Sequence, residues 1–121
     1  MELTLYTEDY FDAAHFLIGY NGKCSNLHGH TWKISLWIRG DSKDKDQSGI
    51  LWDFGNLKKV INLFDHKNLN EISSESPSVE NLSIFIYDNL KTEYPNLKFK
   101  VRVYEEIHPK IAYCELGDFT H

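Results

Sequence analysis

Apolar and polar residues alternate in four segments of the chain, and this alternation predicts four β-strands. The first segment, 3–16, is long, and the apolar face formed by its odd positions ends at His15. The alternation is interrupted at Glu8 and Asp9, where we expect a β-bulge or a bend. The second segment, 28–39, predicts a strand with one face made of His28, His30, Trp32, Ile34, Leu36 and Ile38.

Two segments in the middle of the chain carry apolar residues at helical spacing. Asp53 is a candidate helix cap, and the stripe that follows it consists of Leu57, Val60, Ile61 and Phe64. A loop then ends at 76–78. A second helix follows, since Glu80 favours a helix start and Pro95 marks the end of that helix. The apolar side of this second helix is made of Val79, Leu82, Phe85, Ile86 and Leu90.

The last part of the chain predicts two more strands. Residues 98–103 alternate between basic and apolar side chains, and residues 111–116 follow a turn at 107–110. The resulting order is strand, strand, helix, helix, strand, strand. Two helices on one face of a four-stranded antiparallel sheet satisfy this order, so we predict a single α+β domain over residues 1–121.

The composition is typical of a soluble globular domain. Of 121 residues, 41% are hydrophobic and 26% charged, and the formal net charge is −5. This charge gives no reason to expect nucleic-acid binding, which normally uses a basic face. No apolar run approaches the roughly 18 residues of a membrane span. The first residues lack the features of a secretion signal, so we expect a cytoplasmic protein in which Cys24 and Cys114 are free thiols.

Three histidines stand at the ends of the first two predicted strands. His28 and His30 project from the same face of one strand, and His15 ends the strand before it. Gly29 lacks a side chain, which we expect to let a metal or backbone approach closely. Converging neutral imidazoles suit a divalent transition ion, zinc first. Three such ligands leave one tetrahedral position open, as in catalytic zinc sites.

Cys24 lies in a polar loop four residues before His28, and two roles are open for it. As a fourth ligand, its thiolate would close a structural zinc site. As a free thiol beside a cation and an imidazole, it would be a reactive acid, base or nucleophile.

Asp65 and His66 follow the first helical stripe and are the components of a proton relay. An aspartate can fix the tautomer of an imidazole that moves a proton to or from a thiol. The alternative is a solvated helix end, where His66 interacts with the helix dipole.

Glu105 follows the inward-facing apolar residues of the third predicted strand and lies at the end of this face. A buried carboxylate needs a partner. A ligand with a guanidine-like ring edge would supply two N–H donors, and the alternative is an ion pair with a lysine at the rim. Glu106 stands in the outward phase, where we expect solvent.

Together these residues resemble the family of 6-pyruvoyl- and 6-carboxy-tetrahydropterin synthases. The matching motifs run in family order across nearly the whole chain: Phe11-Asp12-Ala13-Ala14-His15, Cys24 with His28-Gly29-His30, Asp53-Phe54, Asp65-His66, Pro77-Ser78-Val79-Glu80-Asn81, and the series Val101, Val103, Glu105. The resemblance implies the T-fold (tunnelling fold). It also implies homo-oligomers, with two trimers stacked into a hexamer and active sites between subunits.

The resemblance also implies a chemistry on 7,8-dihydroneopterin triphosphate. By this likeness His15, His28 and His30 bind zinc, which acidifies the side-chain hydroxyls of the substrate. Cys24 is then the proton acceptor, the Asp65–His66 pair supports it, and Glu105 grips the pterin ring.

The short spacing from Cys24 to His28 is similar to that of bacterial 6-carboxy-tetrahydropterin synthases of the queuosine precursor route, which release acetaldehyde and triphosphate. The alternatives are a 6-pyruvoyl-tetrahydropterin synthase, which only eliminates triphosphate, and a non-catalytic zinc-stabilised binder of pterins or purines. Glu106 departs from the family pattern, which generally has Thr at this position.

Overall fold

A computed structural model of the protein describes residues 1–120, which form one five-stranded sheet with two helices against one of its faces. The sheet order is β3-β1-β2-β4-β5. In chain order the elements are β1 (Glu2–His15), β2 (His28–Asp41), α1 (Asn56–Phe64), β3 (Lys67–Asn68), α2 (Val79–Glu93), β4 (Lys98–Glu106) and β5 (Ala112–Gly117). No helix among the described residues is both long and apolar enough to span a membrane.

The predicted α+β class is confirmed, but the sheet has a fifth strand. The short strand β3 pairs parallel to β1, through Ala13 with Lys67 and Ala14 with Asn68. The expected four-stranded antiparallel sheet was therefore one strand short. A two-residue strand is too short to show alternation in the sequence. Its place in the sheet depends on where the chain lies after α1.

The bulge expected at Glu8 and Asp9 is wrong. The antiparallel register of β1 and β2 is continuous from one end to the other, with Glu8 opposite Ser35 and Asp9 opposite Ile34. Asp9 keeps the inward phase, and its carboxylate lies 3.8 Å from Nζ of Lys58 in α1. The irregularity in this sheet is a register shift between β4 and β5 at Tyr104 and Glu106.

The helix starts differ in how closely they follow the prediction. α2 begins as expected, because the hydroxyl of Ser78 accepts a hydrogen bond from the Asn81 amide at 3.1 Å. Before α1, Gly55 occupies the capping position, and Asp53 is not the cap. The Asp53 carboxylate instead accepts a hydrogen bond from the Gly55 amide at 2.8 Å, which closes the turn that leads into the helix.

The core lies between the helices and one face of the sheet. The apolar face of β2 is fully buried from Trp32 to Ile38, and the buried stripe of α1 is the predicted one. His28 and His30 continue this face beyond Trp32, where the core ends and the histidines become partly accessible. The two imidazoles therefore lie at the edge of the apolar core.

Candidate metal centre

The three predicted histidines meet at the end of the β1–β2 pair. His15 lies directly opposite His28, and His30 projects from the same face two residues further along β2. The ring centroids are 4.6 Å apart for His15 and His28, 5.3 Å for His15 and His30, and 4.8 Å for His28 and His30. One nitrogen from each ring lies within 4.8 Å of the others. Antiparallel register is thus sufficient to bring the three imidazoles to one point.

Backbone carbonyls orient two of the rings. The Nδ1 atom of His15 is 2.7 Å from the Pro77 carbonyl oxygen, and Nδ1 of His28 is 2.7 Å from the Asn26 carbonyl oxygen. A carbonyl oxygen only accepts, so each Nδ1 carries the proton and donates it. In a neutral ring this hydrogen bond leaves the lone pair on Nε2, which is the state that a metal ligand needs.

Two of the candidate ligand atoms are buried without a protein partner. Nε2 of His15 and Nε2 of His30 have no hydrogen bond in the described part of the chain. Burial lowers the pKa of both imidazoles, which favours their neutral, ligating form. A divalent ion would satisfy both lone pairs at once, and three neutral imidazoles fit zinc. Within residues 1–120 this is the one cluster of three or more candidate ligand side chains close enough to share an ion.

Trp32 forms the floor of the centre. Its ring is fully buried and stands edge-on to His15 at 4.9 Å and to His30 at 5.6 Å. Its Nε1 donates to the Ala13 carbonyl at 3.2 Å, which fixes the indole. The role expected for Gly29 is wrong, because a Cβ built there meets only the Ala13 carbonyl, at 4.0 Å. Gly29 lies on the opposite face of β2 from the histidines, so its missing side chain gives no room to an ion.

The loop before α2 supports His15, and local sequence reasoning missed this. The Pro77 carbonyl that receives the His15 proton lies 62 residues further along the chain. Asn81 holds the loop in place, because its side-chain amide donates to the Ser76 carbonyl at 2.8 Å. The motif at residues 77–81 pointed to this loop through the family resemblance alone, since any residue type offers a carbonyl.

Cys24 lies in a single 3-10 turn, Lys23–Ser25, in the loop between β1 and β2. Its thiol is free and partly accessible, and its carbonyl accepts a hydrogen bond from the Leu17 amide at 2.9 Å. The cluster of ligand atoms consists of the three histidines and does not include this sulfur. This arrangement favours the free-thiol interpretation over a fourth ligand.

Asp65 and His66 form a pair at the edge of β1. The Asp65 carboxylate is 3.6 Å from Nε2 of His66 and accepts a hydrogen bond from the Asp12 amide at 3.0 Å. The His66 amide donates to the Asp12 carbonyl at 2.7 Å, and the His66 side chain is 80% exposed. His66 adopts a left-handed backbone conformation with φ of 59°. Among the described residues, no hydrogen bond or ion pair connects this pair to the histidine cluster or to Cys24.

Glu105 reaches the metal centre from β4. Its Oε2 is 3.5 Å from Nε2 of His15, and its side chain is 30% exposed. A cavity of about 460 Å³ opens beside it, lined by Gly29, His30, Thr31, Glu105, Glu106, Ile107 and His108. The expectation that Glu106 stands in solvent is incomplete, since this carboxylate lines the same cavity. The sheet irregularity at Tyr104 and Glu106 brings both carboxylates to this end.

The fold and the site define a class of protein: an α+β T-fold domain with a three-histidine centre beside an acidic cavity. A family model described as 6-pyruvoyl tetrahydropterin synthase matches residues 4–115. The chain belongs to this family of tetrahydropterin synthases.

Individual relatives agree with this assignment. The chain is 33% identical over 117 residues to the Bacillus subtilis 6-carboxy-5,6,7,8-tetrahydropterin synthase, covering 87% of this chain and 78% of that protein. It is 33% identical over 101 residues to the Dictyostelium discoideum 6-pyruvoyl tetrahydrobiopterin synthase, covering 76% and 73%. The structure of Caenorhabditis elegans 6-pyruvoyl tetrahydropterin synthase superimposes with a TM-score of 0.71 at 28% identity, covering 95% of this chain and 96% of that chain.

Proposed function

We propose that this protein is a zinc-dependent 6-carboxy-5,6,7,8-tetrahydropterin synthase in the biosynthesis of 7-deazaguanine (queuosine) precursors. It converts 7,8-dihydroneopterin triphosphate and water into 6-carboxytetrahydropterin, acetaldehyde and triphosphate. The observation that carries the proposal is the pair of buried Nε2 atoms of His15 and His30 that lack a hydrogen-bond partner among the described residues, beside the carboxylate of Glu105.

The three imidazoles would hold the ion, and Glu105 would hold the substrate. A bound zinc ion supplies a Lewis acid that polarises the hydroxyls of the substrate side chain. The Glu105 carboxylate accepts two hydrogen bonds from the N–H edge of the pterin ring, which directs the side chain towards the histidines. Trp32 excludes water from behind the rings, so the polarised hydroxyls face an environment of low dielectric constant.

Cys24 is the proposed proton acceptor, and Asp65 with His66 is the proposed relay. The thiol is free and accessible, which a proton acceptor requires. The Asp65 carboxylate is fixed by the Asp12 amide and lies beside the imidazole that it would orient. Because His66 is largely exposed in one chain, we propose that a second subunit covers it and completes the site.

The 6-carboxy product is favoured over the 6-pyruvoyl product by one feature of the chain. Three residues separate Cys24 from His28, the compact spacing that resembles bacterial carboxy enzymes. The relatives also include 6-pyruvoyl synthases, which makes triphosphate elimination alone the second candidate.

The test is to incubate the zinc-loaded protein with 7,8-dihydroneopterin triphosphate and measure acetaldehyde and triphosphate. Both products are expected in equal amounts. Triphosphate without acetaldehyde would assign the 6-pyruvoyl reaction, and neither product would overturn the enzymatic proposal.

The variant Cys24→Ala separates a catalytic thiol from a structural ligand. It should keep one zinc per chain and its fold, while turnover falls by about 10²-fold or more because the proton acceptor is missing. Cys114→Ala is the matched control, since this partly accessible thiol lies on β5. Loss of zinc and of folding in the Cys24 variant would instead identify a four-ligand structural site.

A further inference from the structure

The residue Glu105 borders both the histidine cluster and the neighbouring cavity. Its Oε2 is 3.5 Å from Nε2 of His15. This nitrogen has its lone pair directed away from the Pro77 carbonyl and has no hydrogen-bond partner in the described chain. The cluster itself contains the three histidines alone, so the carboxylate lies beside one of its nitrogens and needs a side-chain shift to join it.

Glu105 lies where the regular pairing of β4 ends. The pairing of β4 with β2 ends at Tyr104 opposite Lys33, one residue before Glu105. On the other side, the register of β4 with β5 shifts between Tyr104 and Glu106. Glu105 is thus outside both regular ladders, and its partly exposed side chain borders the cavity as well as the cluster.

We propose that in the substrate-free enzyme Glu105 occupies the open coordination position of the metal centre, and that it transfers to the ring edge of the pterin when substrate enters. The inference rests on the proposed function for the identity of the ligand. A carboxylate is an accepted zinc ligand, and it binds paired N–H donors equally well. Either partner satisfies the half-buried charge, so one replaces the other. The ring edge of the pterin draws the carboxylate away, and the freed position is then available to the substrate hydroxyls.

The first test measures zinc affinity without substrate, by competition with a chromophoric chelator. Glu105→Gln removes the charged ligand at nearly constant size and should weaken zinc binding by about tenfold or more. Glu106→Gln is the matched control, because Glu106 is the adjacent residue, lines the same cavity and loses the same charge. Its zinc affinity should stay within about twofold of the parent value. Equal affinities for the two variants would overturn the inference.

The second test does not depend on a variant. The Co²⁺-loaded protein is titrated with unsubstituted pterin, which has the ring edge but lacks the hydroxylated side chain. The visible absorption of Co²⁺ should change as the carboxylate leaves, and by thermodynamic reciprocity pterin should weaken Co²⁺ binding. Glu105→Gln should show an altered spectrum before any pterin is added. An unchanged spectrum in the unmodified protein at saturating pterin would contradict the transfer.

These measurements fail separately from the proposed function, because neither requires turnover. If both tests succeed but no acetaldehyde or triphosphate forms, the transfer of Glu105 is supported and the enzymatic proposal is wrong. If the protein turns over substrate while Glu105→Gln binds zinc as tightly as Glu106→Gln, the transfer of Glu105 alone is wrong.

Discussion

The imidazoles of His15 and His28 are each fixed through the nitrogen that faces away from the cluster. Both Nδ1 atoms donate to backbone carbonyls at 2.7 Å. A carbonyl is independent of side-chain identity and of pH, so these bonds hold the tautomer in any protonation state of the neighbours. His30 adds the third lone pair from a buried position against Trp32. At the scale of single residues, the site is a preformed set of three imidazoles that can bind a metal ion.

Removal of one of these three imidazoles should abolish stoichiometric metal binding. His30→Ala is expected to retain far less than one zinc per chain after dialysis, because only two of the three imidazoles in the cluster remain to bind the ion. Metal analysis on the dialysed protein measures this. His108→Ala is the control, since His108 lines the adjacent cavity but lies outside the cluster. A full zinc equivalent in the His30 variant would show that the ion binds elsewhere.

At the scale of elements, the site is held by the end of β1 and the start of α2. The amide of Phe16 donates to the Asn70 side chain at 2.8 Å, and the Asn70 amide returns a hydrogen bond to the Phe16 carbonyl at 3.0 Å. The Ile18 amide donates to the Ser76 hydroxyl at 2.9 Å. These bonds attach the chain after His15 to the segment before α2, so the Pro77 carbonyl stays in register with the imidazole.

Loss of the α2 cap should destabilise the fold measurably. Ser78→Ala removes the hydroxyl that accepts from the Asn81 amide, and it should lower the free energy of unfolding by about 1 kcal/mol. Urea unfolding of the zinc-free protein measures the difference. Ser48→Ala, in an exposed loop, should change it by less than about 0.5 kcal/mol. Equal effects of the two substitutions would mean that the cap does not stabilise α2.

At the scale of the whole molecule, the sheet has one covered face and one that points away from both helices. The second face carries cations over aromatic rings: Lys100 lies 4.0 Å from the Trp37 ring centroid and Arg102 lies 4.4 Å from that of Tyr113. The terminal strand β5 presents an unpaired backbone edge among the described residues, flanked by the 65% exposed Ile111. An open edge of this kind favours pairing with another strand.

The family resemblance implies a hexamer of two stacked trimers, and the open edge of β5 offers a surface for such an assembly. Strands at the sheet edges would pair between copies, and the exposed His66 would lie at a subunit boundary. Sedimentation equilibrium or native mass spectrometry should give six chains per particle. A monomer with full turnover would contradict both the assembly and the proposal that a second subunit completes the site.

The positions of the three histidines could be predicted from the sequence because strand periodicity is a local property. Alternation puts His28 and His30 on one face, and the end of the first apolar phase puts His15 beside them. The helical stripe that ends at Phe64 is local in the same way. The bulge expected at Glu8 and Asp9 was wrong, because the backbone pairing of β1 with β2 continues where the apolar alternation is interrupted.

By itself, then, the sequence determined which side chains share a face, which segments are helices and which residue types could bind an ion. The tertiary structure decided which backbone groups meet those side chains. Pro77 bonding to His15, β3 beside β1 and Glu105 at the cluster all join residues distant in the chain. Every residue type has a backbone carbonyl, and a short edge strand shows no sequence periodicity. The partners of both therefore depend on how the helices pack against the sheet.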